Sequence, residues 1–202
     1  MDPSVSDIPI SIDTRHAVVA KEAVFAGADI VNDVSGGTHD PKMLETVKDL
    51  HVPIVLMHMR GTPETMQQMT QYENVVEDVS SSLLELSEKA EKAGIPRWLH
   101  ILDPGIGFAK DLDQNLSLIK NTDDIREAVS NCPLLLGPSR KGFIGKITGE
   151  TTAEKRDFGT LASCLCALMG KNGKLPPTIL RVHNVEGLKQ GTKIFEAIMN
   201  AK

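Results

Sequence analysis

Pro133-Leu134-Leu135-Leu136-Gly137-Pro138-Ser139-Arg140-Lys141-Gly142 is the stretch that decides how the chain reads. The leucine run is short and wholly apolar, as expected of a strand buried on both faces, and Gly137-Pro138 breaks it just before a hydroxyl and two cations. This composition suits an anion, because Arg140 offers a forked donor and Lys141 a point charge. Gly137, Gly142 and Gly145 are expected to let the backbone pass close to a ligand.

Working outward, the same order of strand and then helix repeats. Residues 8–12 are apolar and end in Asp13-Thr14, and residues 17–27 read as a helix closed by Gly27. Residues 28–34 read as a strand carrying Asn32 and Asp33 at its end, followed by a helix over 41–50 with Pro41 at its start. A third strand, 53–57, ends in His58-Met59-Arg60-Gly61, and after an insertion at 64–72 a helix is expected over 73–93. Val75, Val76, Val79, Leu83, Leu86 and Ala90 recur on one face of that helix. A fourth strand over 98–102 leads into Asp103-Pro104-Gly105-Ile106-Gly107-Phe108, and helices follow near 113–120 and 123–129. Beyond the fifth strand, a helix near 153–169 turns Leu161, Leu165 and Leu168 inward. A loop over 170–177, a sixth strand over 178–182 and a last helix near 192–199 complete the chain.

Six alternations with apolar strands imply an α/β protein with a parallel sheet covered by helices. Polar residues gather at the carboxyl end of each strand: Asp13, Asn32 with Asp33, His58, Asp103, Ser139 to Lys141, and Arg181 with His183. In a (β/α) barrel all these ends converge on one face, whereas in a doubly wound sheet only those near the switch point meet. The barrel is the preferred reading, because Gly105-Ile106-Gly107 lacks the third glycine and the downstream acid of a dinucleotide-binding turn.

A length of 202 residues suits a single domain with a sizeable core. The net charge of -5 speaks against nucleic acid or an anionic membrane as the partner, and no apolar run approaches the ~18 residues of a membrane span. Cys132, Cys164 and Cys166 lack the spacing of a zinc or redox site, so reduced thiols are expected. The short acidic opening is unlike a targeting segment, and a cytoplasmic location follows as the expectation.

Six strings in register carry a family resemblance. Ser11-Ile12-Asp13-Thr14, Ile30-Val31-Asn32-Asp33, Leu56-Met57-His58-Met59-Arg60-Gly61, Leu102-Asp103-Pro104-Gly105-Ile106-Gly107-Phe108, Gly137-Pro138-Ser139-Arg140-Lys141 and Arg181-Val182-His183-Asn184 together resemble dihydropteroate synthase of folate biosynthesis, in its plant or fungal form. In that branch the synthase is often the last domain of a longer folate polypeptide, with a mitochondrial location for a longer parent. The resemblance implies a TIM-like barrel of eight strands. Its first two strands carry an Asn-Val-Thr-Pro-Asp-Ser-Phe-Ser-like string and a Gly-Gly-Glu-Ser-Thr-Arg-Pro-like string, and neither occurs in this chain. The expectation is therefore an incomplete barrel, strands three to eight, forming one pterin-binding domain over residues 1–202. Lys171 to Pro177 is also longer than the family's usual turn.

The implied reaction joins p-aminobenzoate to 6-hydroxymethyl-7,8-dihydropterin diphosphate, giving 7,8-dihydropteroate and pyrophosphate. By this resemblance Asp103 reads the pterin with paired acceptor bonds, and Asn32 and Asp13 complete the polar wall. Met57 and Phe108 sandwich the ring, Lys141 contacts its carbonyl, and Gly137 and Ser139 shape the p-aminobenzoate side. Arg181 and His183, alternating with Val182, point one way and hold the leaving diphosphate. Lys141, Arg181 and His183 are the expected catalytic residues. His58, a lone histidine between methionines, reads as scaffold as readily as ligand, and Arg60 as a solvated side chain. Magnesium is implied chiefly through the diphosphate and the absent first loop, with no protein ligand here, and a homodimer through the later helices is implied too. Two other readings remain: a methyltransferase of the pterin-binding barrels, and a weak or inactive pterin-binding fragment needing a complementing segment.

Overall fold

The strands of the computed structural model, which describes residues 8–62, 64–169 and 178–201, join the sheet in the order of the chain. They are β1 (Ser11–Asp13), β2 (Ile30–Asp33), β3 (Ile54–Met57), β4 (His100–Asp103), β5 (Leu134–Leu136) and β6 (Thr178–Leu180), and every neighbouring pair is parallel. Each crossover carries a helix: α1 (Ala17–Phe25), α2 (Met43–Leu50), α3 (Val75–Lys92), α4 (Leu112–Lys120) with α5 (Thr122–Ala128), and α6 (Gly142–Thr148) with α7 (Asp157–Leu168), while α8 (Val185–Met199) follows β6. Crossovers between parallel strands are right-handed, so strands added in one direction place all their helices on one face. A doubly wound sheet reverses direction and covers both faces; this one does not. The result is a curled half-barrel, helices outside.

Side-chain alternation divides the strands accordingly. Val31, Ile54, Leu56, Leu102, Leu134 and Leu136 enter the main core beneath the helices. Between them, Asp13, Asn32, Val55, Met57, Ile101, Asp103, Leu135 and Ile179 take the opposite, concave face. The register keeps the two sets in tiers, with Asp13 beside Asn32, Val55 beside Ile101 and Met57 beside Asp103. The middle of the concave face is buried, as Val55, Met57 and Ile101 show, whereas Ile179 on the edge strand β6 is 40% exposed.

Local chemistry accounts for the helix ends. Asn74 caps α3 by accepting from the Val76 and Glu77 amides, with Glu77 and Asp78 in its first turn and Lys89 and Lys92 in its last. A reciprocal Asp111 and Gln114 capping box starts α4. His100 turns into the helix layer, where its Nε2–H donates to the Ile95 carbonyl at 3.1 Å and Nδ1 meets the Ser87 hydroxyl at 2.9 Å. Burial lowers the pKa of this histidine, which suits the neutral ring.

Four local expectations are corrected. Residues 97–99 form a 3-10 turn that leaves Trp98 82% exposed, so β4 starts at His100. Gly142 opens α6 and Gly145 lies inside it, packed against Arg156 and the Glu150 carbonyl, so Gly145 does not border a ligand loop. On α7 the buried face is Thr160, Cys164, Ala167 and Leu168, which leaves Leu161 and Leu165 half-buried. The last helix also starts seven residues earlier than the spacing suggests, at the Asn184 cap. The loop expected at 170–177 and the acidic opening lie outside the described residues.

Leu83 of α3 is fully buried against the sheet. Leu83→Ala is expected to lower unfolding free energy by about 2–5 kcal/mol in urea titration, whereas Glu85→Ala on the exposed face of the same helix is expected to stay within about 0.5 kcal/mol.

Candidate active site

Asp103 ends β4 on the concave face and is 8% exposed. Burial pushes its carboxyl up to about 6, although the Gly105 amide, bound to Oδ1 at 2.7 Å, and the cations Lys110, Lys141 and Arg181 all pull it down. Gly105 is required here: its φ is +70°, and a Cβ would collide with the backbone carbonyl oxygen of His58.

The loop after Asp103 is held from three sides. The Lys110 Nζ lies 3.1 Å from the Gly105 carbonyl, 2.9 Å from the Phe108 carbonyl and 3.0 Å from His58 Nδ1. Asn115 of α4 accepts the Gly107 amide at 2.6 Å and donates to the Asp111 carbonyl at 2.6 Å. The Tyr72 hydroxyl donates to the Ala109 carbonyl at 3.0 Å, and Arg60 stacks on the Tyr72 ring at 3.8 Å while donating to the Gln71 carbonyl. Burial, followed by Lys110 and Arg60, lowers the His58 pKa to about 3, so His58 is a neutral part of this scaffold. Burial likewise brings Lys110 down to about 7.

Lys141 precedes α6 and lays its stem over Gly107, where a Cβ would stand 2.9 Å from Lys141 Cδ. Its ammonium sits 4.0 Å above the Phe108 ring, and burial lowers its pKa while Asp103 raises it. At the next strand ends, the Ser139 Oγ is 2.9 Å from His183 Nδ1 and accepts the His183 amide at 3.2 Å. Arg181 Nη1 approaches His183 Nε2 at 3.4 Å. A guanidinium only donates, so Nε2 accepts and Nδ1–H donates to Ser139. Desolvation, then Arg181 and Arg140, lower the His183 pKa and keep this ring neutral. Arg181 itself passes over Gly137.

Between the two sheet edges lies an open cleft of about 1020 Å³. Asp13 and Asn32 line it from one edge, Leu135, Ile179 and Arg181 from the other, and Leu188 of α8 closes one side. The structure thus joins Asp103, Lys141 and Phe108 in one group, Ser139, His183, Arg181 and Gly137 in a second, and Asp13 with Asn32 in a third, with Met57 beside Asp103 in register.

Arg140 does not join them. With φ at +60° it turns away from the cleft and makes a forked pair with Asp157 at 2.8 and 3.0 Å, while its amide reaches Thr160 Oγ1. The anion-binding fork expected there is a structural tie. Asp33, too, serves the backbone, accepting the Ser35 and Gly37 amides at 2.8 and 3.0 Å. Lys110, Asn115 and Tyr72 escaped the sequence reading. Lys110 carried a usable signal, being the only charged residue between Asp103 and Asp111.

The family described as pterin binding enzyme matches residues 2–183. Among curated proteins, the chain is 43% identical over 209 residues to the mitochondrial folate synthesis bifunctional protein of Arabidopsis thaliana, covering 99% of this chain and 37% of that protein. It is 45% identical over 197 residues to the folic acid synthesis protein fol1 of Pneumocystis carinii, covering 95% of this chain and 26% of that protein. Among solved structures, Yersinia pestis dihydropteroate synthase in a sulfonamide drug complex superposes with a TM-score of 0.89 at 32% identity, over 96% of this chain and 68% of that one. The chain therefore spans well under half the length of the two curated relatives.

The raised Asp103 pKa makes a signed prediction. A carboxyl whose folded pKa lies above its unfolded value binds protons more tightly when folded, so stability falls as pH rises from about 4 through about 6. Asp103→Asn is expected to unfold at an equal or higher temperature than the parent at pH 7.5, with the difference vanishing near pH 4. A lower melting temperature at pH 7.5 would show that the carboxylate stabilises the fold.

Proposed function

The chain belongs to the pterin binding enzyme family, and from that premise we propose that it acts as a dihydropteroate synthase. It would condense 6-hydroxymethyl-7,8-dihydropterin diphosphate with p-aminobenzoate to give 7,8-dihydropteroate and pyrophosphate. One observation carries the reading: a buried carboxylate, Asp103, faces Lys141 and Arg181 on the side of the sheet where the cleft opens. Residues 1–202 are read as a single pterin-binding domain.

The amino-pyrimidinone edge of a pterin presents two parallel N–H donors, which a carboxylate accepts together and an apolar site cannot. Asp103 takes that role, and Asn32 and Asp13 bond the remaining ring positions. Met57 and Phe108 cover the ring faces, and Lys141, at rest over Phe108, donates to the pterin carbonyl. In the reaction the amine lone pair forms the C–N bond to the exocyclic methylene, the C–O bond breaks, and diphosphate leaves with that electron pair; the amine proton passes to solvent. The cation at the methylene is delocalised into the pterin, so the protein's contribution is to position the reactants and stabilise the departing charge. Arg181 does the latter directly and His183, whose Nε2 accepts from Arg181, orients that guanidinium, while Ser139 fixes the His183 tautomer and, with Gly137, borders the amine's ring.

Magnesium belongs to this reading as a companion of the diphosphate. No group of three or more His, Cys, Asp or Glu suited to a metal occurs among the described residues, and no step above runs through the ion. For location we propose the cytoplasm, with a mitochondrial setting for a longer parent, as in the Arabidopsis relative. No helix among the described residues is long and apolar enough to cross a membrane. A homodimer is proposed through α7 and α8, whose Phe158, Ile194 and Ile198 are 88, 64 and 67% exposed, together with Met169 just after α7, 61% exposed. Phe158→Glu is expected to halve the mass measured by sedimentation.

A second reading has its own support: β1 and β6 are sheet edges among the described residues, and the cleft between them is open. In that reading the chain binds pterin but turns over slowly until a further segment closes the cleft.

The deciding assay is formation of labelled dihydropteroate from labelled p-aminobenzoate, dihydropterin diphosphate and magnesium. Product supports the synthase; pterin binding without product supports the second reading; neither would overturn both. Lys141→Ala is expected to raise the pterin Kd about tenfold or more, and Arg181→Ala to lower kcat about 10²–10³-fold with a smaller change in pterin affinity.

A further inference from the structure

Lys110 has no part in the reaction just described, yet it is 4% exposed, and an apolar side chain of similar length would fill its place without desolvating a charge. Its Nζ has three partners at 2.9–3.1 Å, none of them a carboxylate: the Gly105 and Phe108 carbonyls and His58 Nδ1. These partners belong to the ends of β3 and β4. Phe108 also supplies the ring on which Lys141 rests, and Gly105 supplies the amide that binds Asp103. One ammonium therefore ties together the backbone that shapes the pocket around Asp103.

The three partners admit two complete hydrogen-bond patterns. As an ammonium, Lys110 donates to both carbonyls and to His58 Nδ1, which leaves the His58 proton on Nε2. As an amine, it keeps the two carbonyl bonds and accepts from a His58 protonated at Nδ1. The loop holds its shape in both, but only the first pattern adds the Lys110 charge to those of Lys141 and Arg181 near Asp103. The charged or titratable groups that face Lys110 are His58, Arg60, Asp103 and Lys141, and those facing Asp103 are Lys110, Lys141 and Arg181.

We infer that Lys110 is a positioning residue for Asp103: it fixes the 104–108 loop through two carbonyls and, as an ammonium, supplies the charge that keeps the Asp103 carboxylate ready to accept N–H bonds. The inference deepens the proposed function and rests on its assignment of Asp103 to the pterin. Its consequence is that ligand affinity depends on a residue outside the cleft and on whether Lys110 keeps its proton or gives it to solvent as His58 changes tautomer.

The test is the titration of the Asp103 carboxyl followed by 13C NMR in the unliganded chain, alongside pterin affinity as a function of pH. In Lys110→Met the Asp103 titration is expected to move up from about 6 by about one pH unit, pterin affinity at pH 6 to fall about fivefold, and the loss to shrink above pH 8 as Asp103 ionises. Lys110→Gln keeps donor capacity without charge and is expected to show the same shift. A purely structural lysine would leave the Asp103 titration where it was, and that result in both variants would overturn the inference. If neither variant folds, the parent chain decides: Lys110 13Cε is expected to titrate below the surface lysines with a matching step at the Asp103 carboxyl, and the absence of that step would refute the proposal. A parent chain that binds no pterin would remove the proposed function, while the Asp103 titration would still judge Lys110.

Discussion

A parallel sheet extended in one direction has one face under helices and one face that must be satisfied some other way. Here that constraint orders everything else. The helix side takes Val31, Ile54, Leu56, Leu102, Leu134 and Leu136 into a single core, and alternation sends every second residue to the concave side whether it is apolar or not. On that side one tier runs Asp13, Asn32, Val55 and Ile101, polar on β1 and β2 and apolar on β3 and β4, and the next tier sets Met57 beside Asp103. Strand register alone therefore brings Asp13 to Asn32 and Met57 to Asp103.

Placing Asp103 at that end has an electrostatic cost that its neighbours offset. Burial works against the carboxylate, and the Gly105 amide, Lys110, Lys141 and Arg181 work for it. The chain as a whole carries -5, yet this carboxylate faces three cations. A local excess of positive charge in a low-dielectric cleft is how a protein of negative net charge holds an anion. The cations themselves are strained by the arrangement, as the depressed pKa values of Lys110 and Lys141 record.

The legible part of this molecule was the part written in periodicity. Strand and helix alternation, the apolar face of α3 and the polar strand ends all follow from spacing, whereas the barrel rested on the lack of a dinucleotide-binding turn and on the family resemblance. What was not legible depended on the direction of individual side chains. Arg140 and Lys141 are adjacent cations after the same strand, and nothing in their order says that a φ of +60° at Arg140 sends one outward and one inward. Gly142 and Gly145 read as loop glycines because glycine disfavours helix, but tight packing of Gly145 against Arg156 overrides that preference. Lys110 was hidden because a lysine after a glycine-rich loop reads as solvated unless its partners are known.

The outward turn of Arg140 also explains how the loops after β5 and β6 are held. Asp157 takes the forked Arg140 pair and the Asn184 amide at 3.2 Å, and Asn184 in turn caps α8. The Arg140 and Asp157 side chains are about a quarter exposed, so the pair by itself contributes little to stability. Its value is geometric. Together with the bonds between Ser139 and His183, it joins the loop after β5 to the loop after β6 by two separate ties. Lys141 and Arg181 are therefore carried on one connected unit, and their separation does not have to be found when a ligand arrives. Charge placed in advance stabilises developing charge without reorganisation, so the cation lost to the scaffold makes the two that remain more effective.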